Sequence, residues 1–316
     1  MFYEGNISKP ALGGKSVRFP YDLDMAYTYQ RGIKFVGEKI RFRSSLGKIA
    51  QISPIRQLWR GRIASKYMKP QKKSARRWIW KRTETSNFYY DLTDSNRLDL
   101  AHLISLISGA TVSEVKGYIE ELASDIDLRN HIKKSWESNP RLKDAYVGFG
   151  RREGWYAIVR SLKPKLVIET GVSHGIGACV IASAVLRNRT EGYEGQYLGT
   201  DWDPDAGVLL SGIYAEAGEI VYGDSISTLE KIDGSIELFI NDSDHSFEYE
   251  AREYSVIQSK LSTQALVLGD NSHVSPSLRT FSELSNRRFV FFKEIPKDHW
   301  YPGAGIGISL PPLEQS

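Results

Sequence analysis

Residues 166–177 read Leu-Val-Ile-Glu-Thr-Gly-Val-Ser-His-Gly-Ile-Gly, and this stretch decides the fold. An apolar run ends in an acid, Glu169, then passes into a glycine-rich turn that opens a small-residue helix over 178–186. Strand, tight turn and helix in this order form the unit in which a doubly wound sheet holds a nucleotide-like ligand. Gly171 and Gly175 let the backbone turn sharply and come close to a ligand that a Cβ would exclude. Dinucleotide enzymes share such a turn, so the residues downstream must decide what kind of site it is.

Working outward from this turn, strands and helices alternate at short intervals from Lys163 onward. The pattern predicts strands over 166–170, 196–200, 218–222, 236–241, 264–269, 287–293 and 304–309. Helices are expected over 176–187, 204–215, 225–231, 246–260 and 276–285. Such alternation argues for a mainly parallel sheet covered on both faces. Residues 293–303 carry no helix-length apolar pattern, so the last two strands are expected to pair antiparallel at the sheet edge. The fold class is therefore α/β, a Rossmann-like seven-stranded doubly wound sheet with an antiparallel last strand and a helical, basic N-terminal extension.

Polar residues gather where the strands end, the side on which open α/β sheets bind ligands. Asp201 closes the second strand, about 30 residues after the turn, and its carboxylate suits two ribose hydroxyls. Trp202 beside it suits a purine face, while Asp203 before Pro204 reads as a helix cap. Asp224, in Gly223-Asp-Ser225, suits an adenine amino group, although Gly-Asp-Ser is also an ordinary cap. Acidic readers at these places fit adenosine without a 2′-phosphate. After the fourth and fifth strands come Asn241-Asp-Ser-Asp-His245 and Gly269-Asp-Asn-Ser-His273. Asp242, Asp270 and Asn271 are hard oxygen donors suited to Mg²⁺. The other reading of Asp270-Asn271 is a turn after a buried strand.

With these residues in view, roughly residues 145–310 resemble a class I S-adenosylmethionine (SAM)-dependent methyltransferase. The resemblance is closest to the catechol and caffeoyl-CoA O-methyltransferase-like group and its bacterial sugar and natural-product relatives. Glu169, Gly171, Gly175 and Gly177 satisfy the shared turn Glu-x-Gly-x-x-x-Gly-x-small, with Ser173 at the middle position. The resemblance implies SAM held by Glu169, Gly171, Ser173, Gly175, Asp201, Trp202, Asp224 and Asp242. It implies a divalent cation, Mg²⁺ or similar, on Asp242, Asp270 and Asn271. The run from Asp242 to Ser246 matches the Asp-x-Asp-His-Ser of several bacterial relatives. His245 follows two acids at a strand end and is the expected base beside the catalytic Asp242, a departure from the plant and animal enzymes, which carry a lysine near this position. His273 is the competing base, and His174 is given a structural place in the turn. Phe149, Arg151, Arg152 and Trp155 are expected at a lid or entrance, and Trp300 and Tyr301 at a substrate gate.

The expected activity is methyl transfer to a hydroxyl of a small molecule or sugar. A metal-independent N- or RNA methyltransferase and a non-catalytic SAM-binding scaffold at a membrane stand as alternatives. An NAD-dependent dehydrogenase is disfavoured because the turn lacks the Gly-x-Gly-x-x-Gly order.

The N-terminal half differs in kind. The 316 residues carry a formal net charge of +4, yet residues 1–150 hold 27 Lys/Arg against 15 Asp/Glu. Between Arg31 and Arg82 there are 17 basic residues and one acid, Glu38, with Trp59, Tyr67, Trp78 and Trp80 interleaved. Ile52, Ile55, Leu58, Trp59 and Ile63 fall roughly on one helical face. Such a segment suits an anionic membrane surface or acidic partner, and less well nucleic acid; the alternative is a solvated arm. The expected domains are a basic arm over 1–90, a helical lid or extension over 91–145, and the catalytic domain over 146–316. Within the extension Ser113 is the expected cap of a helix ending at Ala123. A single cysteine, Cys179, excludes an intramolecular disulfide. With no apolar run of signal or spanning length, the expectation is a cytoplasmic protein, with peripheral membrane contact through the arm. Homo-oligomer contacts through the extension are a further expectation of the resemblance.

Overall fold

The computed structural model describes residues 53–80, 89–138, 148–270 and 272–312. The chain divides into two compact units, Met1–Lys69 and Pro70–Ser316. Helix α1, Ser53–Trp80, carries nine basic residues and no acid, and its described side chains are largely exposed. In the first unit the described residues are those of α1 up to Lys69. No helix among the described residues is long and apolar enough to cross a membrane.

The second unit is built on a seven-stranded sheet in the order β3-β2-β1-β4-β5-β7-β6. Its strands are β1 Leu166–Thr170, β2 Gln196–Asp201, β3 Gly218–Tyr222, β4 Ile236–Asn241, β5 Leu261–Asp270, β6 Arg288–Lys293 and β7 Gly305–Leu310. The first five pair in parallel, and β7 runs antiparallel to both β5 and β6. The expected antiparallel pair is present, with β7 inside and β6 at the edge. Burial explains the order: Gly-Ile-Gly-Ile-Ser-Leu of β7 is buried throughout, while β6 exposes Arg288 and Lys293. Charged residues on an edge strand discourage further pairing.

Side chains alternate across the sheet, as strand geometry requires. Val167, Leu238, Ile240, Leu266 and Leu268 enter one core cluster, and Ile168, Phe239 and Val267 enter the other. On the first face lie α5 (Arg152–Leu162) and α6 (Ile176–Thr190), whose side chains share a core with α2 (Asp94–Ser108), α3 (Val112–Ala123) and α4 (Ile126–Ser138). The second face is covered by α7 (Ser225–Glu230), α8 (Phe247–Ile257) and α9 (Ser277–Leu284). α3 starts one residue earlier than expected, and its cap is Thr111 rather than Ser113. The Thr111 side chain accepts from the Glu114 N–H while the Glu114 carboxylate accepts from the Thr111 N–H, a reciprocal capping box.

The helix expected over 204–215 does not form. Turns occupy most of that span, followed by a short 3-10 helix, Gly212–Ala217. Gly207 has φ +71°, a left-handed conformation that interrupts a helix. The freed backbone serves the glycine turn instead: Gly207 N–H donates to Ser173 O at 2.6 Å, and Leu209 N–H to His174 O at 3.2 Å.

Register sets the site. Thr170 lies opposite Thr200 and Asn241, and Asn241 opposite Gly269, so the polar strand ends line up across the sheet.

Candidate active site

The turn after β1 is held by contacts that its residue types dictate. Gly171 adopts φ +82°, and a Cβ there would fall 2.0 Å from the Asp242 carbonyl oxygen. The β1 turn and the β4 loop therefore meet backbone to backbone, which no other residue permits. Ser173 is itself left-handed, and its N–H donates to Asp201 Oδ2 at 2.8 Å. Asp201 Oδ1 accepts from the Asp203 N–H at 3.0 Å. Two amides thus fix the carboxylate, and each oxygen retains a lone pair for a further donor.

A cavity of about 560 Å³ opens beside this turn. Gly171, Ser173, Thr200, Asp201, Trp202, Asp224, Asp242 and Tyr249 are among its lining residues. Asp224 caps α7 through the Ser227 N–H and also accepts from the Tyr249 hydroxyl at 2.9 Å, while still facing the cavity. The cap reading of Gly-Asp-Ser is thus met, and Asp224 also lines the cavity. The Ser227 N–H holds the Asp224 carboxyl below the usual range. Trp202, 81% exposed, stands at the rim.

Two expected cofactor contacts lie elsewhere. Gly175 is buried as the N-terminal cap of α6. Glu169 is buried beneath the turn, where Tyr197 Oη donates to its carboxylate at 2.5 Å. Burial pushes the Glu169 carboxyl up to about 7.

Next to the cavity, the ends of β4 and β5 bring together Asp242, His245 and Asp270. One ligand atom from each falls within 4.8 Å of the others. Asn271 lies outside the described residues. Burial and the facing Asp270 push Asp242 well above the usual carboxylate range. Burial alone would raise Asp270 too, and the Arg151 guanidinium outweighs it, holding that carboxyl low. Arg151 grips Asp270 with Nε on one oxygen and Nη2 on the other. His245 Nδ1 lies 3.4 Å from Glu250 Oε1, and its Nε2 is 3.8 Å from Asp242 Oδ1. Glu250 raises the imidazole above its ordinary value, against the opposing effect of burial. His273 is moved the other way, by burial and by Lys293 and Arg151. His174 is exposed on the turn.

Several organising residues escaped the sequence reading. Glu253 of α8 is buried and gathers the Ser225 hydroxyl, the Asn241 amide and the Ser243 hydroxyl. Glu294, just after β6, accepts from Tyr90 Oη at 2.9 Å, Arg151 N–H at 2.6 Å and Ala304 N–H at 3.0 Å. Isolated acids in polar segments give no sequence signal, because their partners lie as many as 204 residues away. Phe149, Arg151 and Trp155 are interior residues, and Arg152 keeps 12% of its side-chain surface, so this group is packed inside the domain rather than placed at an entrance. Trp300 and Tyr301 lie in the β6–β7 loop with His299, which stacks on Trp300 and tilts against Tyr90.

With this geometry in place, residues 168–272 match the family model of a methyltransferase domain. The likeness to a methyltransferase domain thus covers about a third of the chain. The matched segment runs from β1 to just past β5, so it includes Gly171, Asp201, Asp224, Asp242, His245 and Asp270. Arg151, Tyr90 and Glu294 lie outside it. No curated protein matches the chain. Among solved structures, the O-methyltransferase TomG from Streptomyces achromogenes, involved in tomaymycin synthesis and bound to SAM, is 15% identical with a TM-score of 0.46. It covers 60% of this chain and 91% of its own. Cofactor-bound Rv0187 from MTB is 16% identical with a TM-score of 0.48, covering 60% and 91%. The Bacillus cereus O-methyltransferase with SAH is 12% identical with a TM-score of 0.44, covering 62% and 99%.

Proposed function

We propose that the methyltransferase domain transfers the SAM methyl group to a hydroxyl oxygen of a small-molecule or sugar acceptor. The observation that carries this reading is His245, placed in the loop after β4 between Glu250 and Asp242, a loop whose Asp242, Ser243 and Asp244 line the cavity. Asp201 and Asp224 hold the ribose and adenine, and Gly171 and Ser173 bring the sulfonium end toward the β4 loop. His245 takes the proton of the acceptor hydroxyl as the oxygen attacks the methyl carbon. The O–C bond forms as the S–C bond breaks, leaving S-adenosylhomocysteine and a protonated imidazole, which Glu250 stabilises. Alignment of donor and acceptor supplies much of the remaining rate.

The donor chemistry at the β4 and β5 ends fits a hard divalent cation, because two facing carboxyls and an imidazole nitrogen converge there. Asp242 and Asp270, with Asn271, would hold Mg²⁺ or a similar ion, and His245 keeps the role of base. Such an ion, when bound, binds an acceptor oxygen and lowers its pKa.

Calorimetric titration of S-adenosylhomocysteine on wild type and Asp201→Ala tests the cofactor half of the proposal. The expected result is micromolar binding that the variant loses; no binding by wild type rejects the reading. Methyl-transfer screening of hydroxylated acceptors, with Mg²⁺ and with EDTA, then tests the acceptor half.

For α1 we propose contact with an anionic bilayer surface. The helix carries nine basic residues and no acid, and Leu58, Trp59, Tyr67, Ile79 and Trp80 are exposed among them. Sedimentation with phosphatidylserine vesicles and not with phosphatidylcholine vesicles is the expected outcome. Equal sedimentation with both, or with neither, rejects it.

A further inference from the structure

We propose that the Arg151 guanidinium and a divalent cation compete for the Asp270 carboxylate, so that this arginine sets the metal affinity of the site. The proposal rests on the reading given above in which Asp242 and Asp270 hold the metal. Its own basis is a contact made by a residue outside the matched methyltransferase segment.

Arg151 sits just before α5 and is 4% exposed. Its fork takes both Asp270 oxygens, one through Nε and one through Nη2. A planar two-point pair of this kind is among the strongest that a carboxylate makes. It occupies the oxygens that a cation at the β4 and β5 ends would use. Arginine cannot relieve the conflict by losing its proton. Arg152 adds a second positive charge, with Nη2 4.0 Å from Asp242 Oδ2.

The arginine also has a second anchor. Its backbone N–H donates to Glu294 Oε1 at 2.6 Å, and Nη1 lies 3.7 Å from Glu294 Oε2. Glu294 is itself fixed by Tyr90 and Ala304. When a cation takes Asp270, Arg151 therefore keeps a buried counter-charge and stays in place. Two arrangements follow, one with Asp270 on arginine and one with Asp270 on metal. The like charges of ion and guanidinium make the second weak at low metal concentration.

Mn²⁺ binding measured by calorimetry and electron paramagnetic resonance, with Mg²⁺ as competitor, tests this on wild type, Arg151→Lys and Arg151→Met. Lysine keeps the charge but lacks the fork, so it separates competition for the oxygens from simple repulsion. Expected are weak binding by wild type, several-fold tighter binding by Arg151→Lys, and at least ten-fold tighter binding by Arg151→Met. If Arg151→Met does not fold, the lysine variant decides alone. The proposal is overturned if Arg151→Lys binds Mn²⁺ no more tightly than wild type, or if none of the three binds it. S-adenosylhomocysteine titration on the same samples is a separate readout. Its failure would reject the methyltransfer reading and leave the Mn²⁺ comparison interpretable.

Discussion

At the scale of single residues, charge state governs this site, and it makes pH the most informative variable. His245 must be neutral to accept a proton, and Glu250 raises its pKa above the ordinary 6.5. The acid limb of kcat/KM is therefore expected above pH 6.5, and Glu250→Gln should move it to lower pH. A limb unmoved by that change would remove Glu250 from its orienting role. Glu169 gives the opposite kind of test. Its buried carboxyl titrates near 7 instead of 4.5, so the folded state holds an extra proton between those values. Stability from this group thus falls as pH rises from about 4.5 through 7. Glu169→Gln should stabilise the protein by roughly 1–3 kcal/mol at pH 8, with the gain vanishing near pH 4, as read by urea denaturation. The residues with chemistry at strand ends were legible because the strand pattern placed them there. Glu169 was read as a ligand contact because the motif carries an acid there, but which side of a turn that acid faces depends on Tyr197, 28 residues away.

At the scale of elements, periodicity carried the strands well, because most strands centre on an apolar run bounded by polar or glycine residues. It failed over 204–215, where helix-forming residues lose to Gly207 and to the open carbonyls of Ser173 and His174. A helix forms only if its backbone has no better partner, and here the glycine turn supplied one. Caps behave similarly: Thr111 won over Ser113 because Glu114 stands three residues after it. Thr111→Ala should therefore cost about 1 kcal/mol in denaturant melts without changing S-adenosylhomocysteine affinity, whereas Ser113→Ala should cost almost nothing. The β1 turn is less forgiving. Gly171→Ala forces a positive φ and a clash with the Asp242 carbonyl, so loss of S-adenosylhomocysteine binding by at least ten-fold is expected in calorimetry.

At the scale of the whole second unit, buried charges tie distant segments together. Arg97 donates to both oxygens of Glu153, joining α2 to α5. Tyr90, Arg151, Asp270 and Glu294 form a second such group, joining the segment before α2, the start of α5, β5 and the end of β6. Neither group was legible, since a charged residue in a polar stretch reads as solvated until its partner is known. Removing the Arg151 side chain takes away the buried counter-charge of Asp270 and Glu294. Arg151→Met should accordingly lower unfolding free energy by about 3–5 kcal/mol, measured by urea titration at pH 7; a loss under 1 kcal/mol would show that the group is not held as described. Because Arg151 holds Asp270 charged, the stabilisation from this carboxylate is present above its ordinary 3.8 and lost as pH falls through its lower folded value.

The place of β7 has a consequence for synthesis. While residues 305–310 are still inside the ribosome, β5 has no neighbour on one side, and its Val267 to Asp270 backbone is an open template for another chain. β6 emerges first yet cannot fill the gap, since its sheet partner is β7 alone. The nascent sheet must therefore wait for a segment made after its own edge. A released chain ending between β6 and β7 should aggregate, whereas the 316-residue chain should remain in solution.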